Sequence, residues 1–137
     1  MELMLCLYQL ALAQVESGKM MFMVGTGGNG KGMHSILDQC MLGTENFGLL
    51  ESSWFSDRNE FRKSAHIGIN KMEIRIQEAS NSSPINSDQY KKFVVGETLT
   101  LRQNYEKTRQ ENFGVSIKIQ EVNEVNIPRM DFNISRY

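Results

Sequence analysis

The sequence is poor in the residue types that build disulfide frameworks and metal centres. Its 137 residues include two cysteines, two histidines and two prolines. Cys6 and Cys40 are too few for a disulfide framework, and no cysteine and histidine stand at the spacing of zinc ligands. We therefore expect a protein of a reducing, intracellular setting.

An excess of charge and a long apolar run are also lacking. Lys and Arg number 15 and Asp and Glu 16, so the formal net charge of -1 gives no overall attraction to nucleic acid or membrane. Residues 3–12 are apolar, but this stretch is too short to cross a bilayer and no basic residue precedes it. We expect one globular domain without membrane association, whose nucleic-acid contacts come from a local patch.

Apolar periodicity predicts a strand, a glycine-rich turn and a helix in succession. Residues 20–24 are continuously apolar, which is typical of a strand covered on both faces. The next apolar residues follow helical spacing and predict a helix that packs its apolar face against this strand: Met33, Ile36, Leu37, Cys40 and Met41. Residues 1–15 predict a buried helix that ends near Gly18.

Further along the chain, alternating apolar and polar residues predict strands at 72–77 and 115–120. Four polar residues inside these strands predict partial exposure: Glu73, Arg75, Ser116 and Lys118. We also predict a helix at 57–63, a helix at 87–95 capped by Ser87, and a hairpin or extended loop at 99–113. Together these elements predict a three-layer α/β domain with a mainly parallel central sheet, in which the strands at 20–24, 72–77 and 115–120 lie near the centre.

The glycine-rich turn carries the strongest functional signal. It reads Gly25, Thr26, Gly27, Gly28, Asn29, Gly30, Lys31, Gly32. The spacing Gly-x-x-x-x-Gly-Lys between a strand and a helix indicates a phosphate-binding loop, in which backbone N–H groups and Lys31 contact phosphates. We predict ATP as the ligand; a flexible glycine turn is the structural alternative. Gly32 replaces the usual Ser or Thr, so Mg²⁺ needs an acid elsewhere.

Glu78 is the candidate for that acid. It follows the predicted strand 72–77, where a parallel neighbour of the loop strand would end. We predict that Glu78 orients Mg²⁺ and polarises the attacking water. A solvated glutamate at the end of a strand is the alternative interpretation.

The order of these motifs resembles the superfamily 3 helicases, and within them the ATPase domain of viral, phage and plasmid primase-helicases. Residues 28–31 resemble the Walker A loop of that family, and Glu78 falls where the family has its Walker B glutamate. Residues 88–102 resemble the segment that carries a pore-facing hairpin, and Asn123 resembles the sensor 1 asparagine. The proline, aspartate and arginine-finger region of the family is similar to Pro128, Asp131 and Arg136.

The resemblance implies a phosphate-loop NTPase fold of the AAA+-like type. It implies a homo-oligomer, a hexamer, that uses ATP and Mg²⁺ to translocate on single-stranded DNA, with a primase domain outside this chain. Catalytic roles fall to Lys31, Glu78, Asn123 and Arg136, the last acting in a neighbouring subunit. A viral source would place the protein in the host cytoplasm or nucleus.

Three basic residues are candidates for DNA contact on the pore side of such a hexamer: Lys91, Lys92 and Arg102. Basic and aromatic groups together favour single strands. Taken without the resemblance, the two lysines are more often a solvated helix face.

Several residues depart from the family pattern. Gly32 lacks the hydroxyl, and Gln77 stands where many phosphate-loop enzymes have an aspartate. The chain also ends at Tyr137, where the family's last strand and helices would continue, so we expect one incomplete domain over 1–137. Two alternatives stay open: a nucleotide-binding module without turnover, and a small phosphate-loop kinase.

Overall fold

A computed structural model describes residues 2–13, 15–16, 18–55, 58–77, 86–102 and 107–123. Within these ranges the chain alternates helices and strands. In chain order they are α1 (Glu2–Leu12), β1 (Met20–Val24), α2 (Lys31–Leu42), β2 (Phe47–Leu50), α3 (Arg58–Ser64), β3 (Glu73–Ile76), α4 (Ser87–Val95), β4 (Leu99–Leu101), β5 (Arg109–Glu111) and β6 (Ile117–Val122).

Four strands form one parallel sheet in the order β1-β6-β3-β2. The predicted α/β class with a mainly parallel sheet is therefore confirmed. Strands β3 and β6 lie at the centre, as predicted, whereas β1 lies at an edge of the described sheet instead of near its centre. Strand β2 was not predicted, because Phe47–Leu50 is short and lacks the alternation that marks the other strands.

One face of the sheet carries an aromatic core. Ile74 and Ile76 of β3 pack there with side chains of α4 and of the segment before α3. The rings of Phe55 and Tyr90 lie 4.8 Å apart in an edge-to-face arrangement, which is favourable for aromatic pairs. Six buried aromatic residues form this core: Trp54, Phe55, Phe61, Tyr90, Phe93 and Phe113.

The opposite face is covered by α1 and α2. Ile117 and Ile119 of β6 are packed there against Tyr8 of α1 and the two methionines Met21 and Met23 of β1. Helices thus lie on both faces of the sheet, which gives the three layers that the sequence predicts.

The polar residues of the central strands are buried, so the predicted partial exposure of these strands is wrong. Glu73 and Arg75 have no accessible surface, and Lys118 and Ser116 are also buried. Burial of charges is stabilising only when partners are close, and each of these side chains has one. Ser116 donates its hydroxyl to the carbonyl of Lys71 at 2.6 Å.

Arg75 is the centre of a buried ion cluster. Its guanidinium donates to Glu73 Oε1 from Nη2 at 2.8 Å, to Glu121 Oε1 from Nη1 at 3.2 Å, and to Asp38 Oδ2 from Nη2. His34 Nδ1 lies 2.7 Å from Asp38 Oδ2 and 3.1 Å from Arg75 Nη2. We call Arg75, Glu73, Asp38, Glu121 and His34 the Arg75 cluster. It joins α2, β3 and β6.

Helix α1 also contacts the Arg75 cluster. The Tyr8 hydroxyl donates to Glu73 Oε2 at 2.7 Å. Burial raises the pKa of the Tyr8 hydroxyl, and the adjacent Glu73 adds to the effect. Burial also raises the pKa of the Glu73 carboxyl, although Tyr8 and Arg75 both oppose that shift. The two hydrogen-bonded groups thus anchor α1 to β3.

The orientation of α2 is opposite to the predicted one. Asp38 is the buried residue of α2, and Cys40 and the large apolar side chains that we expected against the sheet are exposed. These apolar side chains are Met33, Ile36, Leu37 and Met41. The helix turns Asp38 inward because the buried Arg75 guanidinium requires a carboxylate on that side. The predicted burial of α1 is likewise wrong in part, since Leu5 and Leu12 are exposed.

The elements after β3 match their predictions within a residue or two. Helix α4 begins at Ser87, but its N-cap is Asn86, whose side chain accepts from the Gln89 N–H. Strands β4 and β5 pair antiparallel, so the segment 99–113, predicted as a hairpin or an extended loop, is a hairpin. Among the described residues, none of the helices combines the length and apolar character needed to cross a bilayer.

The backbones of two glycines touch where α4 ends and where the segment before β6 begins. Gly96 follows α4 with φ 86°, a left-handed conformation that favours glycine. A Cβ at Gly96 would lie 2.5 Å from the Cα of Gly114, which is closer than a side chain permits. The two backbones are therefore in direct contact at this point.

Lys118 is a buried cation on the aromatic side of the sheet. Its ammonium donates to the Ser116 carbonyl at 3.2 Å and lies 5.8 Å from the centroid of the Phe93 ring. Burial lowers the pKa of Lys118 to about 8, with Glu16 acting in the opposite direction. The folded state therefore favours the neutral amine at alkaline pH.

Replacing Arg75 by methionine should destabilise the fold strongly, because Glu73 and Asp38 would stay buried without their cation. Breaking a buried ion pair from one side costs about 3–5 kcal/mol of unfolding free energy. Urea denaturation at neutral pH measures the loss. The matched control is Arg109→Met, since the Arg109–Glu111 pair is exposed and should contribute less than about 1 kcal/mol. Equal losses for both variants would contradict the role given to the Arg75 cluster.

The lowered pKa of Lys118 predicts that the protein becomes more stable between about pH 8 and pH 10. In this window the unfolded lysine is still protonated while the folded one is losing its proton. The unfolded state then binds more protons, and the unfolding free energy rises by at most about 1.4 kcal/mol per pH unit. Above this window Tyr8 and Tyr90 should reverse the trend, because burial raises both pKa values and the unfolded tyrosines ionise first.

Urea denaturation across this window tests the prediction with wild type and Lys118→Met. The variant should have a flatter pH profile. Identical slopes in both proteins would mean that Lys118 does not titrate as described.

Candidate functional site

The glycine-rich loop connects the carboxyl end of β1 to the amino end of α2. The Gly25 N–H donates to the Val122 carbonyl at 3.1 Å, so the loop leaves the sheet beside the end of β6. Helix α2 begins at Lys31 with Gly30 as its N-cap, and no described side chain caps its first turn. The amino end of this helix is thus open to an external acceptor such as an anion.

Two glycines of the loop have conformations that favour glycine. Gly28 has φ 79° and Gly30 has φ 86°. A Cβ built on Gly27, Gly28, Gly30 or Gly32 would have no described atom within 4 Å, so packing does not require glycine there. The backbone shape accounts for the glycines at 28 and 30. It also leaves open space around the loop in which a phosphate chain could lie.

Asn29 folds back over the start of the loop. Its amide lies so close to Gly25 that a Cβ on that glycine would be 1.7 Å from Asn29 Nδ2. Asn29 and Thr26 are otherwise exposed, while Gly25 is buried. The side chain of Asn29 therefore closes the base of the loop.

Lys31 and Asn123 meet at the carboxyl edge of the sheet. The Lys31 ammonium donates to Asn123 Oδ1 at 2.7 Å, to the Val122 carbonyl at 3.4 Å and to the Gly25 carbonyl. Asn123 is the first residue after β6, the strand that pairs with β1. Two residues that are 92 positions apart and that the sequence assigns to one site are thus brought into contact.

The arrangement is suited to binding an anion. A fixed ammonium, an uncapped helix end and an open glycine loop all lie on one side of the sheet edge. Sequence reasoning did not predict that the Val122 carbonyl belongs to the site, because any residue type can supply a backbone acceptor. The Asn123 side chain can give up its hydrogen bond to Lys31 by rotating. The carbonyls of Gly25 and Val122 are backbone groups of the loop and of β6, so they can release Lys31 only if the backbone moves.

Glu78 and Arg136, together with Pro128 and Asp131, lie outside the described residues. Strand β3 ends at Ile76, at the same edge of the sheet as β1 and β6, because the pairings are parallel. The Gln77 N–H then donates to the Leu50 carbonyl at 2.9 Å. Within the described ranges, no group of three or more His, Cys, Asp or Glu residues is arranged to hold a metal ion.

The three basic residues predicted to contact DNA lie in α4 and after β4. Lys91 is exposed on α4, and Lys92 pairs with Asp88 one turn earlier at 3.0 Å. Arg102 is exposed directly after β4. The lysines and the arginine therefore belong to two different elements, a helix and a hairpin.

Comparisons with known proteins show a likeness in fold. No known family profile matches the sequence, and no curated protein matches it. Solved structures of the NrS-1 C-terminal region do match. An A form apo structure aligns with a TM-score of 0.65 at 20% identity over 88% of this chain, and an apo structure of residues 305–718 with 0.66 at 19% over 93%. A further A form structure aligns with 0.54 at 18% over 87%.

The chain spans 27–31% of the length of those solved chains. At identities of 20% or below, the likeness concerns the fold alone. The chain thus shares an α/β architecture with part of the NrS-1 C-terminal region.

Proposed function

We propose that this chain is the ATP-binding and ATP-hydrolysing motor domain of a replicative DNA helicase of the primase-helicase type. The observation that carries the proposal is the contact between Lys31, at the start of α2, and Asn123, at the end of β6, beside an open glycine loop. Such a site at the carboxyl edge of a parallel sheet is where nucleotides bind in open α/β folds.

Binding of ATP would use the groups already described. The backbone of Gly25–Gly30 and the first turn of α2 would surround the phosphates, and the Lys31 ammonium would contact the outer ones. Lys31 donates to three acceptors, so a phosphate oxygen must replace at least one of them. Asn123 is the acceptor that a side-chain rotation can release, and it then lies within reach of the terminal phosphate as a sensor.

Hydrolysis would depend on Glu78 and Mg²⁺. When bound, Mg²⁺ neutralises charge on the phosphate oxygens. Glu78 would hold the ion and polarise the attacking water. It comes two residues after Ile76 in the sequence, and β3 ends at Ile76 at the nucleotide edge of the sheet. Gly32 has no hydroxyl for the metal, so the carboxylate and water would supply its remaining ligands.

Movement on DNA would require an oligomer. We propose a hexamer in which Arg136 enters the site of a neighbouring subunit and in which Lys91, Lys92 and Arg102 face single-stranded DNA. The β4–β5 hairpin supports this proposal, because Arg102 lies at its exposed side. A primase domain would lie outside this chain. The setting would be intracellular, and the host cytoplasm or nucleus for a viral protein.

A module that binds nucleotide without turnover is the second candidate. It is favoured by Gly32, which removes a metal ligand, and by Gln77 in place of an acid. A small-molecule kinase is a weaker alternative, because it needs an acceptor site in addition to the loop.

Isothermal titration with ATP and Mg²⁺ tests the nucleotide site. Wild type should bind, and Lys31→Ala should bind about 10- to 100-fold more weakly, because hydrogen bonds to charged groups contribute about 1.5–3 kcal/mol. Lys19→Ala is the matched control, since this exposed lysine lies at the opposite end of β1. Glu78→Gln should retain ATP and lose phosphate release.

The results separate the candidates. Binding without phosphate release in wild type, with or without single-stranded DNA, would support the module. No ATP binding by a folded wild type would overturn both.

The left-handed loop conformation gives a second test. Gly28→Ala should weaken ATP binding about 10-fold, because a Cβ in this conformation costs about 1–2 kcal/mol. Gly43→Ala should leave affinity unchanged, since Gly43 also has a positive φ, 81°, but lies at the opposite end of α2 from the loop. The same titration measures both variants. Equal affinities would mean that binding does not use the described loop conformation.

A further inference from the structure

Helix α2 and the adjacent part of α1 present a continuous apolar surface. The exposed fractions are 61% for Met33, 55% for Ile36 and Leu37, and 69% for Met41. Leu5 and Leu12 of α1 are 59% and 69% exposed. We call these six residues the α2 face. Exposed apolar side chains are ordinary when scattered, but a continuous set of this size marks a contact surface.

The orientation of α2 is held by the Arg75 cluster. Asp38 lies on the opposite side of the helix from Met33 and Ile36, and it is bound to the buried Arg75 guanidinium. Turning the helix to bury its apolar side would leave the guanidinium buried without this carboxylate, which is strongly destabilising. The α2 face is therefore a fixed property of the fold and requires cover from outside it.

A groove lies between α1 and α2, beside the α2 face. It is a cavity of about 360 Å³ between α1 and α2, and its walls are mainly apolar. The side chains that line it include Leu5, Leu12, Met41, Leu42 and Met72. Apolar side chains of a partner helix would fit such a groove as ridges fit into grooves in helix packing.

We propose that the α2 face is the surface through which two copies of this chain pair, with α2 antiparallel to α2 of the second copy. Positions 33, 36, 37, 40 and 41 repeat at intervals of three and four, the spacing of a helix-to-helix seam. Leu37 lies at the middle of this seam, so a two-fold axis there places Leu37 against its own copy and Met33 against Met41.

The absence of charge on the α2 face is compatible with a second copy as the occupant. None of the six residues of the α2 face is charged, so two identical surfaces meet without repulsion of like charges. The antiparallel arrangement also sets the positive amino end of one helix beside the negative carboxyl end of the other.

The area is sufficient for a dimer. Six large side chains that are more than half exposed amount to roughly 600 Å², the upper end of the range for the largest patch on a monomer. Two such patches would bury about 1,200 Å², the lower limit of stable interfaces. This contact is isologous and closes at two copies, so it differs from the head-to-tail contact of a ring. It does not depend on nucleotide and goes beyond the proposed motor function.

Sedimentation equilibrium of the whole chain, without nucleotide, tests the pairing. Wild type should show a reversible dimer, and Leu37→Asp should raise its dissociation constant at least about 30-fold, the effect of losing a central contact residue of an interface. Val95→Asp is the matched control, because Val95 is an equally exposed apolar residue, 54% accessible, at the end of α4. Circular dichroism should show both variants folded, since both positions are exposed.

A cross-linking experiment tests the geometry. In a Cys6→Ser, Cys40→Ser background, Leu37→Cys should form a covalent dimer on oxidation, because the two-fold axis brings the two positions together. Val95→Cys in the same background should not. A wild type that stays monomeric, or a dimer that Leu37→Asp leaves intact, would overturn the proposal. Loss of ATP binding would not affect this result, so the two proposals can fail separately.

Discussion

A guanidinium that is shielded from water needs carboxylates around it, and much of this fold follows from how Arg75 meets that need. The partners come from different elements: Glu73 from its own strand, Asp38 from α2 and Glu121 from β6. Because these contacts are directional, they determine how α2 is rotated on the sheet. The same rotation determines the position of Lys31, the first residue of that helix.

The two faces of the sheet are stabilised by different kinds of interaction. On one face, the rings of Phe55, Phe93 and their neighbours bury apolar area, which stabilises the fold with little dependence on exact orientation. On the other face, the Arg75 cluster contributes less to net stability but selects one arrangement of the helices. The candidate site lies where these layers meet the carboxyl edge of β1 and β6. Lys31 belongs to α2, which the Arg75 cluster orients, and Asn123 directly follows the central strand β6.

The part of the fold that sequence reasoning predicted depends on local signals. The apolar run of β1, the glycine loop and the alternation in β3 are each encoded within a few neighbouring residues, and the contact of Lys31 with Asn123 follows from parallel strands ending together. The rotation of α2 could not be predicted in this way. A helix with one apolar side is normally buried on that side, and only the buried Arg75, on an element that is distant in sequence, reverses the preference.

Strand β2 and the burial of Lys118 were missed for related reasons. Phe47–Leu50 has no alternation to mark it, and its status as a strand comes from pairing with β3. The alternating pattern predicts that Lys118 is exposed, whereas the aromatic core that includes Phe93 covers it. In both cases the deciding contact is tertiary, and the segment's own sequence does not reveal it.

The backbone contact between Gly96 and Gly114 has a steric consequence for the segments around the hairpin. The β4–β5 hairpin lies between these two glycines in the chain, so the segments that enter and leave it come close together where α4 ends and the segment before β6 begins. Side chains that could deform or slide do not separate the two backbones at this point. A side chain at position 96 would therefore displace Gly114, three residues before β6, the strand whose far end carries Asn123 beside Lys31.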